Sequence, residues 1–383
     1  MPYNHTEVAR QIEAGLPEAR AAQATRADAV QDAVQIYHET SHDDWCEAIR
    51  SVKRRRLMGL PATDLHGFVR GCAAGPDYTV VATDSSFVSP DKHRGSYCYL
   101  INVGRVMVQY GEDAEAELDN AATHCIDPVS EGEEWLVSGP QLQAECALRE
   151  LTELHAWAER FGPDLALLDG SLLQLNLTLS QDREVQRLMS EYGEVLADFE
   201  RLRVPVVGYI SKPAGQAVMR AARLLACRAR FEAGRGEAAC ERRCARPECS
   251  GLWTLDDAGL FWELLEEGVR SPVFQNHSLF GVHGVSDDWK DAGFCYLGTP
   301  YEVARLEFPL WVVDAGLLDR VQSIALSQCA LGEGYPRVLT LAHNFAVLHA
   351  EDRESYFYLL ERAGLIEPPS EKARGKRATG GRI

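Results

Sequence analysis

The sequence predicts an α/β fold in which a mixed β-sheet is flanked by helices. Two patterns predict it: short β-type runs open the sheet before residue 110, and from residue 141 helical segments alternate with apolar strand-like runs. The composition agrees, because 46% of the 383 residues are hydrophobic and 25% are charged, as in an ordinary globular protein. This length corresponds to one large domain or two smaller ones.

The net charge and the apolar runs exclude several classes of protein. With 39 basic and 57 acidic side chains the formal charge is −18, so overall charge does not hold the chain on DNA or on a membrane surface. No apolar run of about 18 residues predicts a transmembrane helix. The polar segment 1–23 lacks the features of a signal peptide. Most cysteines stand alone in apolar segments, which is typical of a protein of the reducing cytoplasm.

The first elements are an N-terminal helical arm and a β-meander. Residues 1–58 predict the arm, because Ala, Glu, Gln and Arg dominate from residue 5 onwards. Its basic end, 53–56, is either a solvated helix end or a phosphate contact. We expect a strand over 79–83 that ends at Asp84, and strands over 97–103 and 105–109 separated by a turn at Gly104. The segment 111–134 is acidic and broken.

The second half predicts strand–helix alternation followed by C-terminal helices. A helix whose leucines recur at three-residue steps ends at Gly162-Pro163. The apolar run 165–168 then predicts a central strand, closed by Asp169. The later elements are helices over 181–202 and 216–231, strands over 204–210, 293–297 and 303–313, and helices over 317–331 and 338–361. The tail 368–383 is basic and almost free of apolar residues, which predicts disorder.

Acidic residues follow two of the predicted strands. Asp84 and Asp169 each precede small residues, and such pairs are either turns or ligands of a hard cation at the carboxyl edge of the sheet. Glu145, Glu150 and Glu153 lie on the helix between them, and Glu150 is at the edge of its core face. Glu150 is therefore either an exposed helix residue or a third carboxylate. Three carboxylates would suit a pair of Mg²⁺ or Mn²⁺ ions that clamp a phosphoryl displacement.

Four ordered segments together resemble the NurA nucleases. They are the run ending in Asp84, the segment 167–172 (Leu-Leu-Asp-Gly-Ser-Leu), the segment 206–212 (Val-Val-Gly-Tyr-Ile-Ser-Lys), and Gly334-Tyr335-Pro336 with Leu341-Ala342-His343. The similarity spans about residues 40–365. One departure is that the first motif of the family usually reads Asp-Gly-Ser, whereas this chain has Asp84-Ser85-Ser86.

The resemblance implies an RNase H-like core over residues 59–367 and a catalytic role for four residues. The family's metal-binding and catalytic residues carry over to Asp84, Glu150, Asp169 and His343, with Mn²⁺ or Mg²⁺ as cofactor. His343 also lies in an apolar run, so a core histidine is the alternative. NurA proteins are Mn²⁺-dependent phosphodiesterases with 5′→3′ exonuclease and single-strand endonuclease activity. They form dimers and process DNA ends in double-strand break repair with the hexameric translocase HerA.

Basic residues and cysteines cluster in a loop over 227–251. Between residues 220 and 246 there are eight arginines and three glutamates, a local excess of five positive charges. The segment is either a solvated loop or a DNA contact, and the candidate DNA-binding residues are Lys212, Arg228, Arg230, Arg242 and Arg243. The thiols either bind Zn²⁺ or an iron–sulfur cluster or stay unligated, with a disulfide or redox role as a third reading; they are Cys227, Cys240, Cys244 and Cys249.

Two other functions compete with a DNA nuclease. The first is a DNA-binding or translocase-docking subunit without catalytic activity, which would not need the acidic set. The second is a two-metal phosphatase or nucleotidase that acts on small phosphates, which would not need the arginine-rich loop. The sequence has no G-x-S-x-G motif and no Walker A motif, so neither a serine hydrolase nor an ATPase is expected.

Overall fold

The computed structural model describes residues 4–50, 57–91, 96–126, 137–230, 251–276 and 292–366. The chain divides into two compact units. Unit 1 consists of Met1–Cys72, Ile210–His283 and Trp289–Leu310, and unit 2 consists of Ala73–Tyr209, Gly284–Asp288 and Trp311–Ile383. No helix in the described ranges is long and apolar enough to cross a membrane.

The described strands are numbered in chain order. They are β1 (Gly59–Pro61), β2 (Val69–Arg70), β3 (Tyr78–Val88), β4 (Cys98–Tyr110), β5 (Glu115–Ile126), β6 (Leu165–Asp169), β7 (Val206–Ile210), β8 (Val269–Arg270), β9 (Phe274–Asn276), β10 (Ala292–Gly298) and β11 (Val303–Pro309).

The described helices are numbered in the same way. They are α1 (His5–Glu39), α2 (His42–Arg50), α3 (Gly139–Phe161), α4 (Leu175–Thr178), α5 (Arg183–Leu202), α6 (Ala217–Arg230), α7 (Asp257–Leu264), α8 (Trp311–Asp314), α9 (Leu318–Leu331), α10 (Arg337–Ala346) and α11 (Ala350–Arg362). A short 3₁₀ turn, Gly251–Thr254, precedes α7.

Unit 2 contains a mixed sheet with the strand order β5-β4-β3-β6-β7. Strands β3, β4 and β5 form an antiparallel meander. Strand β6 pairs in parallel with β3, and β7 pairs in parallel with β6. Helix α3 packs against β3 and α5, and α10 packs across β3 and β4. The predicted fold class, an RNase H-like mixed sheet flanked by helices, is confirmed.

The meander differs from the prediction in two places. Strand β4 is continuous, so the turn expected at Gly104 is wrong: Gly104 lies inside the strand and pairs with Asp84. The segment 111–134, expected to be broken, contains β5, whose residues alternate towards its end between partly buried and exposed. Its acidic residues lie on an edge strand with an exposed face, where charge is tolerated.

Unit 1 contains α1 and α2, which supply the helices expected over 5–58, and a small antiparallel sheet of β1, β9, β10 and β11. Ala33 and Tyr37 of α1 and Trp45 of α2 are fully buried in its core, together with Phe261 and Phe294. Alanines at a four-residue spacing let α1 approach its neighbours closely.

A buried carboxylate joins the helices of unit 1 to its sheet. Asp257 begins α7 and is fully buried. Its two oxygens accept hydrogen bonds from the backbone N–H groups of Val218 and Met219 at 3.2 and 2.7 Å and from the Tyr296 hydroxyl at 2.6 Å. These bonds satisfy the first turn of α6, whose N–H groups have no partner within the helix.

Candidate active site

Asp84 lies one residue beyond the end of the parallel pairing between β3 and β6. The last residues that pair β3 with β6 are Thr83 and Leu168, so Asp84 and Asp169 are the next residues along the two strands. The prediction that Asp84 ends a strand is wrong, because β3 continues along β4 to Val88. The predicted proximity of the two aspartates to one sheet edge nevertheless follows, since β6 ends at Asp169.

One face of β3 contacts α3. The Thr83 hydroxyl donates to the backbone carbonyl of Glu150 at 3.2 Å, and the Ser85 hydroxyl donates to Glu150 Oε2 at 2.8 Å. Thr83 and Ser85 are two residues apart, which is the side-chain period of a strand. Glu150 is therefore held to β3 at both its backbone and its carboxylate.

The other face of β3 contacts α10. Asp84 Oδ2 lies 2.8 Å from His343 Nδ1, and the Ser86 hydroxyl donates to the carbonyl of Ala346. An ionised carboxylate can only accept hydrogen bonds, so Nδ1 is the donor in this pair. The side chain of His343 is 58% exposed, whereas that of Asp84 is 16% exposed. The interpretation of His343 as a core histidine is therefore wrong.

Strand β4 fixes the end of α10 above Asp84. The Asn102 side-chain amide donates to the carbonyls of Phe345 and Ala346, both at 2.9 Å. Gly104 has no side chain at the point where the backbone of α10 comes closest: a Cβ atom there would lie 2.2 Å from the carbonyl oxygen of Ala342. The glycine is thus needed for helix packing and not for a turn.

Among the three glutamates considered on α3, Glu150 is the one beside Asp84. Glu145 is held by the Tyr99 hydroxyl and by Arg149, 2.7 Å away. Glu153 forms an ion pair with Arg105 at 2.7 Å. Both of these glutamates are therefore paired with residues outside the acidic cluster.

Two of the carboxyl groups have shifted acidities. Desolvation raises the pKa of Glu150 well above its ordinary value, and the negative charges of Asp84 and Asp169 raise it further, against the hydrogen bond from Ser85. Partial desolvation also raises the pKa of Asp169, and the charge of Asp84 adds to this. A hydrogen bond from Tyr335 and the charge of His343 act in the opposite direction. The three acids are thus close enough to repel one another.

The cluster offers ligands for a hard divalent cation. Carboxylate oxygens are the donors that Mg²⁺ prefers, and an imidazole nitrogen is accepted by Mn²⁺. Across the residues that the structure describes, no three His, Cys, Asp or Glu side chains already converge on one metal position. Instead, Asp84 and Glu150 are hydrogen-bonded to His343 and Ser85. The chemistry of the donors fits a cation that would draw these side chains together.

The other candidate residues lie elsewhere. Lys212 is exposed in unit 1 and has a left-handed backbone with φ of 43°. Cys227 is buried in α6. The remaining candidates lie outside the described residues, either wholly or with their side chains; they are Arg228, Arg230, Arg242, Arg243, Cys240, Cys244 and Cys249. Their predicted roles stay predictions.

The comparison with protein families agrees with this arrangement. The family model described as the NurA domain matches residues 78–348, which include all four candidate residues of the acidic site. This chain belongs to the NurA family. Membership in the NurA family identifies it as a nuclease. A search of curated protein sequences found no match.

The chain is also similar to solved structures. A NurA crystal structure bound to dAMP and manganese is 12% identical, with a TM-score of 0.38, and the match covers 77% of this chain and 90% of that one. Endonuclease V from Bacillus subtilis is 14% identical, with a TM-score of 0.32 and coverages of 77% and 88%. RuvC from Thermus thermophilus is 15% identical, with a TM-score of 0.17 and coverages of 45% and 88%.

Two residues of this NurA chain contact the acidic cluster but were not predicted to do so. Ser85 binds Glu150, and Tyr335 binds Asp169. The ring of Tyr335 packs edge-on against the buried Tyr209, with 5.4 Å between the ring centroids. The sequence feature that could have indicated a role for Tyr335 is its place in the Gly-Tyr-Pro motif. A motif does not show which side chain the tyrosine hydroxyl contacts.

Proposed function

We propose that this chain is a metal-dependent phosphodiesterase that cleaves DNA and that Asp84, Glu150, Asp169 and His343 bind its Mn²⁺ or Mg²⁺ ions. The observation that carries the proposal is the pairing of Asp84 with His343 at the point where β6 ends in Asp169. Family membership supplies the nuclease class, and the contacts among these four residues support their assignment to one site.

The electrostatics of the cluster support a cation. Desolvation and the repulsion between the carboxylates raise the pKa of both Glu150 and Asp169, so ionisation of these acids is unfavourable unless a positive charge lies close by. A divalent cation supplies Lewis-acid stabilisation of the charge that develops on a phosphate during in-line displacement. His343 is exposed and is bonded to Asp84 through Nδ1, so its imidazole is placed to exchange a proton at the surface of the site.

The finer assignments rest on the family resemblance. We assign 5′→3′ exonuclease and single-strand endonuclease activity with Mn²⁺, acting on DNA ends in double-strand break repair in the cytoplasm. A HerA-type hexameric translocase is the proposed partner, and a homodimer is the proposed assembly. DNA contacts are assigned to basic side chains, because positive charges neutralise phosphates. They are Lys212, Arg228, Arg230, Arg242 and Arg243.

The test is digestion of a labelled single-stranded DNA in Mn²⁺. Asp169→Asn preserves the size of the side chain and its ability to accept the bond from Tyr335, but it removes the charge. We expect cleavage to fall by about 100-fold or more, as is typical when one charge-stabilising group is lost. The control is Asp198→Ala, which removes a carboxylate that forms an ion pair with Arg201 on α5, and it should cleave at the wild-type rate.

Each outcome separates the competing functions. Loss of cleavage in Asp169→Asn, with an unfolding temperature that is not lowered, supports the nuclease. An inert wild type, both alone and with a HerA-type partner, would favour a non-catalytic DNA-binding subunit. Hydrolysis of mononucleotides and small phosphate esters in preference to longer DNA would favour a two-metal phosphatase.

A further inference from the structure

Ser85 contacts two of the proposed cation ligands through different atoms. Its backbone N–H donates to Asp84 Oδ1 at 2.8 Å, and its hydroxyl donates to Glu150 Oε2 at 2.8 Å. Every residue except proline has the backbone N–H, but only a side chain with a hydroxyl at this position makes the second bond in this way.

We infer that Ser85 is a positioning residue that holds Glu150 ready to bind the cation. The inference rests on the proposed function, because it assigns Ser85 a part in the same site. The hydroxyl occupies one carboxylate oxygen, Oε2, and leaves Oε1 to bind a cation. Thr83 fixes the backbone of Glu150 at the same time, so the glutamate is held at both ends of its side chain.

The benefit of this arrangement is preorganisation. A glutamate side chain has several rotatable bonds, and a ligand must lose that freedom when it binds a metal. A hydrogen bond that restrains the carboxylate beforehand removes part of this cost. Groups that orient a metal ligand in this way typically change metal affinity by about 10- to 100-fold. For one neutral hydroxyl we expect about 10-fold.

The test compares Ser85→Thr with Ser85→Val. The two side chains have nearly the same shape and both suit a strand, so a difference between them reports the hydroxyl. Mn²⁺ affinity is measured on the full chain without DNA, from the electron paramagnetic resonance signal of free Mn²⁺. We expect Ser85→Thr to bind within about threefold of wild type and Ser85→Val to bind about 10-fold more weakly.

Two further variants serve as references. Asp169→Ala defines which part of the measured Mn²⁺ binding belongs to the acidic site. Ser41→Ala removes another hydroxyl–carboxylate bond, from Ser41 to Asp44 at 2.7 Å in unit 1, and should leave Mn²⁺ affinity unchanged. Unfolding temperatures in the absence of metal show that each variant is folded.

The outcomes distinguish failure of this inference from failure of the proposed function. If Asp169→Ala weakens Mn²⁺ binding while Ser85→Val and Ser85→Thr bind equally, the positioning role of Ser85 is overturned and the site remains. If the wild type binds no Mn²⁺, or if Asp169→Ala binds Mn²⁺ as tightly as the wild type, both the proposed cation site and the role of Ser85 are overturned.

Discussion

Replacing Gly104 with alanine tests how the active site is assembled. Gly104 pairs with Asp84 across β3 and β4, and α10 covers it. The added Cβ would lie 2.2 Å from the carbonyl oxygen of Ala342, 2.5 Å from the backbone nitrogen of Ala346 and 2.9 Å from the carbonyl carbon of Phe345. All three atoms belong to the helix backbone, so no side-chain rotation relieves the overlap.

The size of the effect follows from these distances. Real Cβ contacts essentially never fall below 3.0 Å, so α10 must move away from the sheet by at least about 0.8 Å. The His343–Asp84 distance, now 2.8 Å, would then exceed the range of a hydrogen bond. Overpacking of this kind costs about 1–3 kcal/mol of stability, or roughly 2–12 °C in unfolding temperature. A misplacement of about 1 Å at a reacting centre can lower the rate about 100-fold.

The assay combines thermal unfolding with single-stranded DNA cleavage in Mn²⁺. The control is Gly75→Ala, because an added Cβ at Gly75 meets no atom of the described residues within 4 Å. We expect Gly104→Ala to unfold at a lower temperature and to cleave more slowly, with Gly75→Ala like the wild type. If Gly104→Ala matches the wild type in both measurements, the close approach of α10 to β4 is refuted as the basis of the site.

Three further predictions concern buried or paired groups. Because the folded protein raises the pKa of Glu150, the native state binds more protons, so this residue lowers stability as the pH rises above about 4. Glu150→Gln should therefore raise the unfolding temperature of the metal-free protein at pH 7 and have little effect near pH 4. A larger stabilisation near pH 4 than at pH 7 would contradict the raised pKa of Glu150. Asp257→Ala leaves three buried donors without their acceptor and should cost about 3 kcal/mol or more in urea unfolding, whereas Asp257→Asn should cost less. Tyr335→Phe keeps the ring contact but removes the bond to Asp169, and it should weaken Mn²⁺ binding about 10-fold in a titration; unchanged binding would show that the bond does not orient Asp169.

The elements with a strong local pattern could be predicted from the sequence. Strand β6 is an apolar run because both of its faces are buried, and α3 has regularly spaced core leucines and ends at Gly162. Strand β5 could not be predicted in this way, because Asp119, Asn120 and alanines have low strand propensity and its exposed face carries charge. It is a strand because β4 offers a full ladder of partners.

Tertiary packing decided the remaining errors. A glycine inside a β-type run is a reasonable turn signal, but at Gly104 the missing side chain serves a helix that lies more than 230 residues later in the chain. The helix expected over 338–361 is two helices, α10 and α11, separated at 347–349 without glycine or proline. The side chain of Asp352 accepts a hydrogen bond from the backbone N–H of His349 at 2.8 Å, which caps the start of the second helix.

The residues of the candidate site could also be predicted in part, whereas their contacts could not. Asp169 could be named from a strand end, and Asp84 was named in the same way although it lies inside β3. Glu150 and His343 could be named only from the family resemblance. Their contacts could not be predicted, because the two-residue period that sends Ser85 to α3 and Asp84 to α10 acts only once the register of β3 is known.

The pairing of Asp84 with His343 joins residues 259 positions apart in the chain. During synthesis the ribosome therefore completes the whole meander, α3 and β6 before the histidine exists, and a nascent chain that already displays its three carboxylates still lacks the fourth residue. Contacts between residues so distant in the sequence are slow to form, because the intervening chain must first be ordered. The pairing of Asp84 with His343 in the candidate site therefore becomes possible only after almost the whole chain has been synthesised.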